Sequence, residues 1–121
     1  MNETNDLVAK KVERAQEQGL ISIICVGDST EDRAEGRVHL SIKEQLDAIK
    51  PSVKDWSKIV IAYEPLWTLV NNKNAPSDTV QEMHDLIRKW ISTNATDAIA
   101  QQTRIIYGGI VTETNAESFI V

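Results

Sequence analysis

The stretch Ile59-Val60-Ile61-Ala62-Tyr63-Glu64-Pro65 decides the fold of this chain. Its apolar start is typical of a strand buried in a parallel sheet, and the carboxylate followed by proline marks the end of that strand. In parallel α/β folds, ligands bind at the carboxyl ends of the strands. Glu64 is therefore a candidate general base. The alternative is a strand-end carboxylate that faces water or caps the next helix.

A second strand-like run, Ile105-Ile106-Tyr107, stops at the pair Gly108-Gly109. Glycines at such a position let backbone N–H groups approach a ligand closely. Two successive strands that end in this way predict one shared ligand face.

Helical and strand-like patterns alternate along the chain. Strand patterns cover residues 21–26, 59–64 and 103–107, and a short helical turn is predicted at residues 97–101. Helical spacing links Val8, Val12 and Ala15; Val38, Ile42, Leu46 and Ile49; Val80, Met83, Ile87, Trp90 and Ile91; and a last helix is predicted over Glu113–Ile120. This alternation predicts an α/β fold with a parallel sheet, whose two edges invite other chains.

The composition is that of one small α/β domain, with 121 residues, 41% of them apolar and 26% charged. A net charge of −5 disfavours a nucleic-acid partner. No apolar run approaches membrane-spanning length, so we expect no membrane partner. The single cysteine, Cys25, lies in an apolar run and is predicted to be a buried small hydrophobe. One cysteine excludes an intrachain disulfide and favours a reducing compartment.

The chain resembles triosephosphate isomerase over essentially all 121 residues, in the family's order and spacing. Ala62-Tyr63-Glu64-Pro65-Leu66-Trp67 looks like the family's catalytic segment, and Ile105-Ile106-Tyr107-Gly108-Gly109 looks like its phosphate-loop segment. Further segments that run as in the family are Cys25-Val26-Gly27-Asp28, Arg33, Val53-Lys54-Asp55-Trp56-Ser57-Lys58 and Arg88-Lys89-Trp90. The resemblance implies a (β/α)8 TIM barrel. Residues 1–121 would form a single incomplete domain with strands five, six and seven, not closed on its own.

The resemblance also implies a reaction. The family interconverts dihydroxyacetone phosphate and glyceraldehyde 3-phosphate in glycolysis and gluconeogenesis, without a cofactor or metal, and usually as a cytoplasmic homodimer. By position, Glu64 would be the base that moves a proton between adjacent carbons. Triosephosphate isomerase is itself a well-known example of catalysis by a glutamate base beneath a closing loop.

Other residues take supporting roles by the same resemblance. Pro65 and Trp67 would belong to the hinge of a closing loop, and Tyr63 and Asp28 would brace it, with Asp28 accepting a hydrogen bond from the Trp67 indole. Tyr107 would hold the closed loop through the backbone near Ala75. Gly108 and Gly109 would lie near the substrate phosphate.

The chain departs from the family at functional positions. The family's catalytic lysine and electrophilic histidine would lie upstream of Met1, and the final phosphate-binding glycines beyond Val121. His39 and His84 lie in helical patterns and do not replace that histidine. Val70 stands where the family has glycine, and Ile110 where it has serine, so both changes remove expected phosphate contacts.

We therefore expect the chain alone to be inactive, and to be oligomeric or only partly folded. Its expected partners are a triose phosphate, once complemented, and either a second copy or a complementary barrel half. One alternative is a catalytically dead isomerase relative that acts as a self-associating or partner-binding module. Another is an unrelated small α/β binding module.

Overall fold

Three short strands alternate with helices in the computed structural model, which describes residues 4–71 and 75–119, without the side chains of residues 69–71. The strands are β1 (Ser22–Val26), β2 (Ile59–Tyr63) and β3 (Arg104–Tyr107). The helices are α1 (Asn5–Glu17), α2 (Thr30–Ala34), α3 (Val38–Ile49), α4 (Leu66–Asn71), α5 (Ser77–Asn94) and α6 (Asp97–Gln102). Short 3₁₀ turns cover Lys50–Ser52, Trp56–Lys58 and Ala116–Phe119. No helix among the described residues is long and apolar enough to cross a membrane.

The strands form one parallel sheet in the order β1-β2-β3. Ala62 in the central strand pairs with Cys25 on one side and with Ile106 on the other. All five residues of β2 are buried. The predicted parallel α/β sheet is confirmed, and its order leaves β1 and β3 as the edges.

Helices cover one face of this sheet. The faces of α3 and α5 that the spacing predicted are buried against it: Ile42, Leu46 and Ile49 from α3, and Val80, Met83, Ile87, Trp90 and Ile91 from α5. The Trp90 indole also donates a 2.8 Å hydrogen bond to Asp47, which ties α5 to α3. The β2 side chains that face the helices, Ile59, Ile61 and Tyr63, belong to this core. The core therefore holds the end of β2, from which Glu64 follows, in place.

The opposite face of the sheet, which we call the open face, consists of alternate strand residues: Ile23 and Cys25 from β1, Val60 and Ala62 from β2, and Arg104 and Ile106 from β3. Ile23 and Ile106 are 63% and 44% exposed. Val60 and Ala62, on the central strand, are buried but stand apart from the main core cluster. Among the described residues, the helices pack on the other side of the sheet.

The prediction that Cys25 is buried is wrong, because its side chain is exposed. Strand residues alternate between the two faces of a sheet. The neighbours of Cys25, Ile24 and Val26, point to the helices and are buried, whereas Cys25 points to the open face. An apolar run alone did not reveal that only one face of β1 is covered.

The predicted helix over Glu113–Ile120 is replaced by a 3₁₀ turn at Ala116–Phe119; Ile120 lies outside the described residues. The Asn115 side chain accepts a 2.6 Å hydrogen bond from the Thr112 amide and donates one of 3.2 Å to the Ile110 carbonyl. Such local side-chain bonds compete with helical backbone bonds. The turn brings the Phe119 ring to 4.6 Å from that of Tyr107, between centroids.

Candidate active site

Backbone hydrogen bonds join the carboxyl ends of the three strands. The Glu64 amide donates to the Val26 carbonyl at 2.8 Å, and the Gly108 amide donates to the Tyr63 carbonyl at 2.7 Å. Two residues further along both segments, the Leu66 amide donates to the Asp28 carbonyl at 3.0 Å. The strand ends that the sequence singled out therefore lie side by side.

Glu64 is half-buried and follows β2 directly, on the side of the sheet to which Ala62 points. A methyl group on Gly108 would lie 3.7 Å from Glu64 Cβ and 3.8 Å from Ala62 Cβ, so the three residues share the open face. Although the Cys25 side chain is exposed, neighbouring atoms shield its thiol in part; this partial desolvation, and then the charge of Glu64, raise the pKa of the thiol. The candidate base therefore stands at the rim of the open face, to which Cys25 also belongs.

The residue before Glu64 is anchored on the opposite side of the sheet. Tyr63 is fully buried, and its hydroxyl donates a 2.6 Å hydrogen bond to Asp28. Burial, and then the hydrogen bond to and charge of Asp28, raise the pKa of Tyr63 far above its ordinary value. The hydroxyl therefore stays protonated and remains a donor. This bond fixes the end of β2 relative to the loop after β1.

Asp28 is itself completely buried, and its second carboxylate oxygen lies 2.8 Å from Arg33 Nε. The Arg33 guanidinium lies 4.3 Å from the centre of the Trp67 ring, a distance suited to a cation–π contact. The structure thus connects Asp28 to Trp67 through Arg33. The resemblance gave Arg33 no role, and the hydrogen bond that it predicts from the Trp67 indole to Asp28 stays a prediction.

Two supporting residues were missed by the sequence analysis. The Gln45 side-chain amide bonds both backbone groups of Gly27, accepting at 3.0 Å and donating at 2.7 Å. Thr68 is completely buried, and its hydroxyl donates to the Pro65 carbonyl at 2.7 Å. The sequence held one indication of the role of Thr68, because it is a polar residue inside an apolar run. Nothing in the sequence indicated the contact of Gln45 with Gly27, which lies 18 residues away.

Gly27 is required by the close approach of the chain to Glu64, because a Cβ atom there would overlap the Glu64 carbonyl oxygen. We expect Gly27→Ala to lower the free energy of unfolding by about 1–3 kcal/mol, the usual cost of overpacking. Urea denaturation at one fixed protein concentration measures this. Gly108→Ala is the matched control, since its nearest contact would be an ordinary 3.5 Å. Equal effects of the two substitutions would contradict this interpretation.

Tyr107 lies over the glycine pair at the end of β3. A Cβ atom on Gly109 would collide with the Tyr107 ring. Burial raises the pKa of Tyr107, and the backbone of Ala75 and of Ile110 opposes this rise. Ala75 is buried and Ile110 half-buried. Val70, whose backbone amide is predicted to approach the phosphate, belongs to α4, and its side chain lies outside the described residues.

Neither histidine belongs to a strand end. His39 lies on α3 and is exposed, 3.3 Å from the Glu82 carboxylate. His84 lies on α5 and is half-buried, with its ring edge-on to that of Tyr63 at 6.2 Å between centroids. Burial, and then the charge of Arg88, lower the pKa of His84, while Asp85 opposes them. Among the described residues, no group of His, Cys, Asp and Glu side chains could hold a metal ion.

The lowered pKa of His84 predicts a pH dependence of stability. Unfolded His84 takes up a proton more readily than the folded residue, so stability falls as the pH drops below about 6.5. We expect His84→Gln to reduce the loss of unfolding free energy between pH 7.5 and pH 5.5, as measured by urea denaturation. Gln101→Ala, which removes an exposed side chain that does not titrate, is the control and should leave the loss unchanged. An unchanged loss in His84→Gln would contradict the assignment.

Comparison with protein families matches residues 1–121 to the family described as Triosephosphate isomerase. A curated relative, "Triosephosphate isomerase, cytosolic" from Oryza sativa subsp. japonica, is 43% identical over 117 residues. The match covers 97% of this chain and 46% of the relative, so the chain spans about half of that protein. The open sheet of three parallel strands is accordingly part of a (β/α)8 barrel. This chain belongs to the triosephosphate isomerase family.

Proposed function

We propose that this chain carries the general base of a triosephosphate isomerase site and that Glu64 is that base. One observation carries the proposal: Glu64 follows the buried strand β2 at the rim of the open face, next to a tyrosine anchored by Asp28. In the proposed reaction the Glu64 carboxylate removes a proton from C1 of dihydroxyacetone phosphate and returns it to C2. The proton of the C1 hydroxyl passes to the C2 oxygen through the polarising groups that the resemblance assigns to segments outside this sequence. The product is glyceraldehyde 3-phosphate.

The surroundings of Glu64 suit a base that must be held in place. Its own amide is bonded to β1, and the next residue, Pro65, is fully buried. A base positioned in this way contributes about 10²–10⁴-fold to the rate of a proton transfer. Because the backbone is anchored, only the Glu64 side chain has to move between the two carbons. This arrangement favours the transfer of a proton from one carbon to its neighbour.

We propose further that these 121 residues supply strands five to seven of the barrel and need the rest of it for turnover. The resemblance assigns the lysine and the electrophilic histidine to segments outside this sequence, and the relative is about twice as long. A complementary barrel portion would extend the sheet at β1 and β3 and cover the open face. The name of the relative favours a cytosolic location for the assembled protein.

The substrate phosphate would lie near Gly108 and Gly109, beside the Tyr107 hydroxyl and the Ala75 backbone. Ile110 brings an apolar side chain to this region in place of a hydroxyl, and Val70 belongs to the proposed closing loop. We propose that both residues weaken phosphate binding. Their effect would fall on the KM for the triose phosphate and on loop closure, whereas the position of Glu64 would be unaffected.

A second candidate function is a catalytically inactive module that binds a partner. The observation that favours it is the uncovered apolar face beside Glu64, where Ile23 is 63% exposed. On this hypothesis Glu64 is retained without use, and the open face is the functional surface.

Complementation separates the two candidates. The 121-residue chain is mixed with a second chain that carries the remaining segments of the Oryza sativa enzyme, and triose phosphate turnover is measured. The first proposal expects turnover in the mixture and none from either chain alone. Stable association without turnover would favour the inactive module.

A further inference from the structure

The open face combines apolar side chains with opposite charges at its two ends. Ile23 and Ile106 project from the edge strands on either side of Val60 and Ala62. Arg104 is exposed and begins β3, whereas Glu64 follows the end of β2. Arg104 pairs in register with Val60, so the two charges stand four residues apart along the strand direction, about 13 Å.

We propose that, in the absence of a complementary barrel half, a second copy of this chain docks on the open face, with the strands of the two sheets antiparallel. The proposal goes beyond the proposed function, because it requires neither substrate nor catalysis. A two-fold axis between the sheets relates the copies, so each contributes the same surface.

The distribution of charge on the open face favours a second copy of this chain as the partner and favours one orientation of that copy. A surface with a cation at one end and an anion at the other is complementary to itself when one copy is reversed. The antiparallel arrangement directs Arg104 toward the partner's Glu64, and Glu64 toward the partner's Arg104. The parallel arrangement would instead stack like charges at each end, which opposes association.

The size of the face sets the strength of this association. Three strands about 4.8 Å apart and five residues long present roughly 14 Å by 17 Å, or about 240 Å². Stable complexes bury about 800 Å² on each partner, and smaller interfaces are transient. The dimer is therefore weak and depends on protein concentration. It must yield to a barrel half that can also pair with the strand edges.

Analytical ultracentrifugation of the 121-residue chain tests the surface. We expect dimers that dissociate on dilution in the wild type and in Leu40→Lys, whose target is 51% exposed on α3, away from the open face. Ile23→Lys should remain monomeric, with circular dichroism confirming its fold. A wild type that is monomeric at millimolar concentration, or an Ile23→Lys variant that dimerises like the wild type, would overturn the proposal.

The orientation has its own test. Arg104→Glu and Glu64→Lys should each weaken the dimer severalfold, and the double variant should restore it, because the charges are exchanged between the copies. A double variant no better than its singles would overturn the antiparallel arrangement.

Cys25, the only cysteine of the sequence, reports which surface is covered. Its alkylation by a maleimide should slow as the protein concentration rises and the open face becomes occupied. Pairing through the strand edges would leave Cys25 accessible in the dimer. An alkylation rate that is independent of concentration in a dimerising sample would therefore overturn docking on this face.

Discussion

Replacing Glu64 by glutamine is expected to lower kcat about 10²–10⁴-fold in a chimera in which this chain replaces the matched segment of the Oryza sativa enzyme. Glutamine keeps the size of the side chain but cannot accept the proton of the substrate. The loss corresponds to about 3–5 kcal/mol of transition-state stabilisation. KM should change little, because the proton transfer and not the phosphate contact is removed. Initial rates over a range of triose phosphate concentrations measure both constants.

The control for this experiment is Glu117→Gln, which makes the same chemical change in the exposed 3₁₀ turn near the C-terminus. It should leave kcat unchanged. A fall in kcat of less than tenfold in Glu64→Gln, or an equal fall in Glu117→Gln, would show that Glu64 is not the base.

Removing the guanidinium of Arg33 is expected to cause the largest loss of stability among the site residues. Asp28 is completely buried, and Arg33→Met leaves its carboxylate with the Tyr63 hydroxyl but without its cation. Breaking a fully buried ion pair costs about 3–5 kcal/mol. We expect less than this, because 33% of the Arg33 side chain is exposed and solvent screens the pair. Urea denaturation at a fixed protein concentration measures the change.

A double-mutant cycle isolates the interaction. Asp28→Asn removes the charge that Arg33 neutralises, so Arg33→Met should cost much less in the Asp28→Asn background than in the wild type. Additive losses would mean that the two side chains do not stabilise each other. The fluorescence of Trp67, over which Arg33 lies, should also change in Arg33→Met.

The central strand and its carboxylate could be predicted because local sequence determines them. Five buried residues in β2 followed by Glu64-Pro65 leave few alternatives, and the apolar spacing of α5 is equally plain. Cys25 was assigned to the wrong environment because burial of β1 depends on what covers each face of the sheet. That information lies in the three-dimensional arrangement and not in an apolar run.

The supporting contacts of the site were harder to predict because they join residues far apart in sequence. Tyr63 and Asp28 are 35 residues apart, and Gln45 reaches Gly27 across 18. Only the family resemblance suggested a link between Tyr63, Asp28 and Trp67, and it gave Arg33 no part. At the C-terminus, local hydrogen bonds of Asn115 outweighed helical propensity in a segment too short to form a stable helix.

The central claim is that this chain holds a well-positioned base in a sheet that covers only part of an isomerase site. A base alone supplies a small part of the rate acceleration of an isomerase. The rest requires the groups that polarise the substrate carbonyl and the groups that bind its phosphate. The most direct measurement compares the initial rates of triose phosphate interconversion by the purified 121-residue chain and by the chimera at equal concentration. The claim predicts turnover by the chimera and none by the chain alone. Turnover by the chain alone that disappears in Glu64→Gln, or an inactive chimera that is correctly folded, would contradict it.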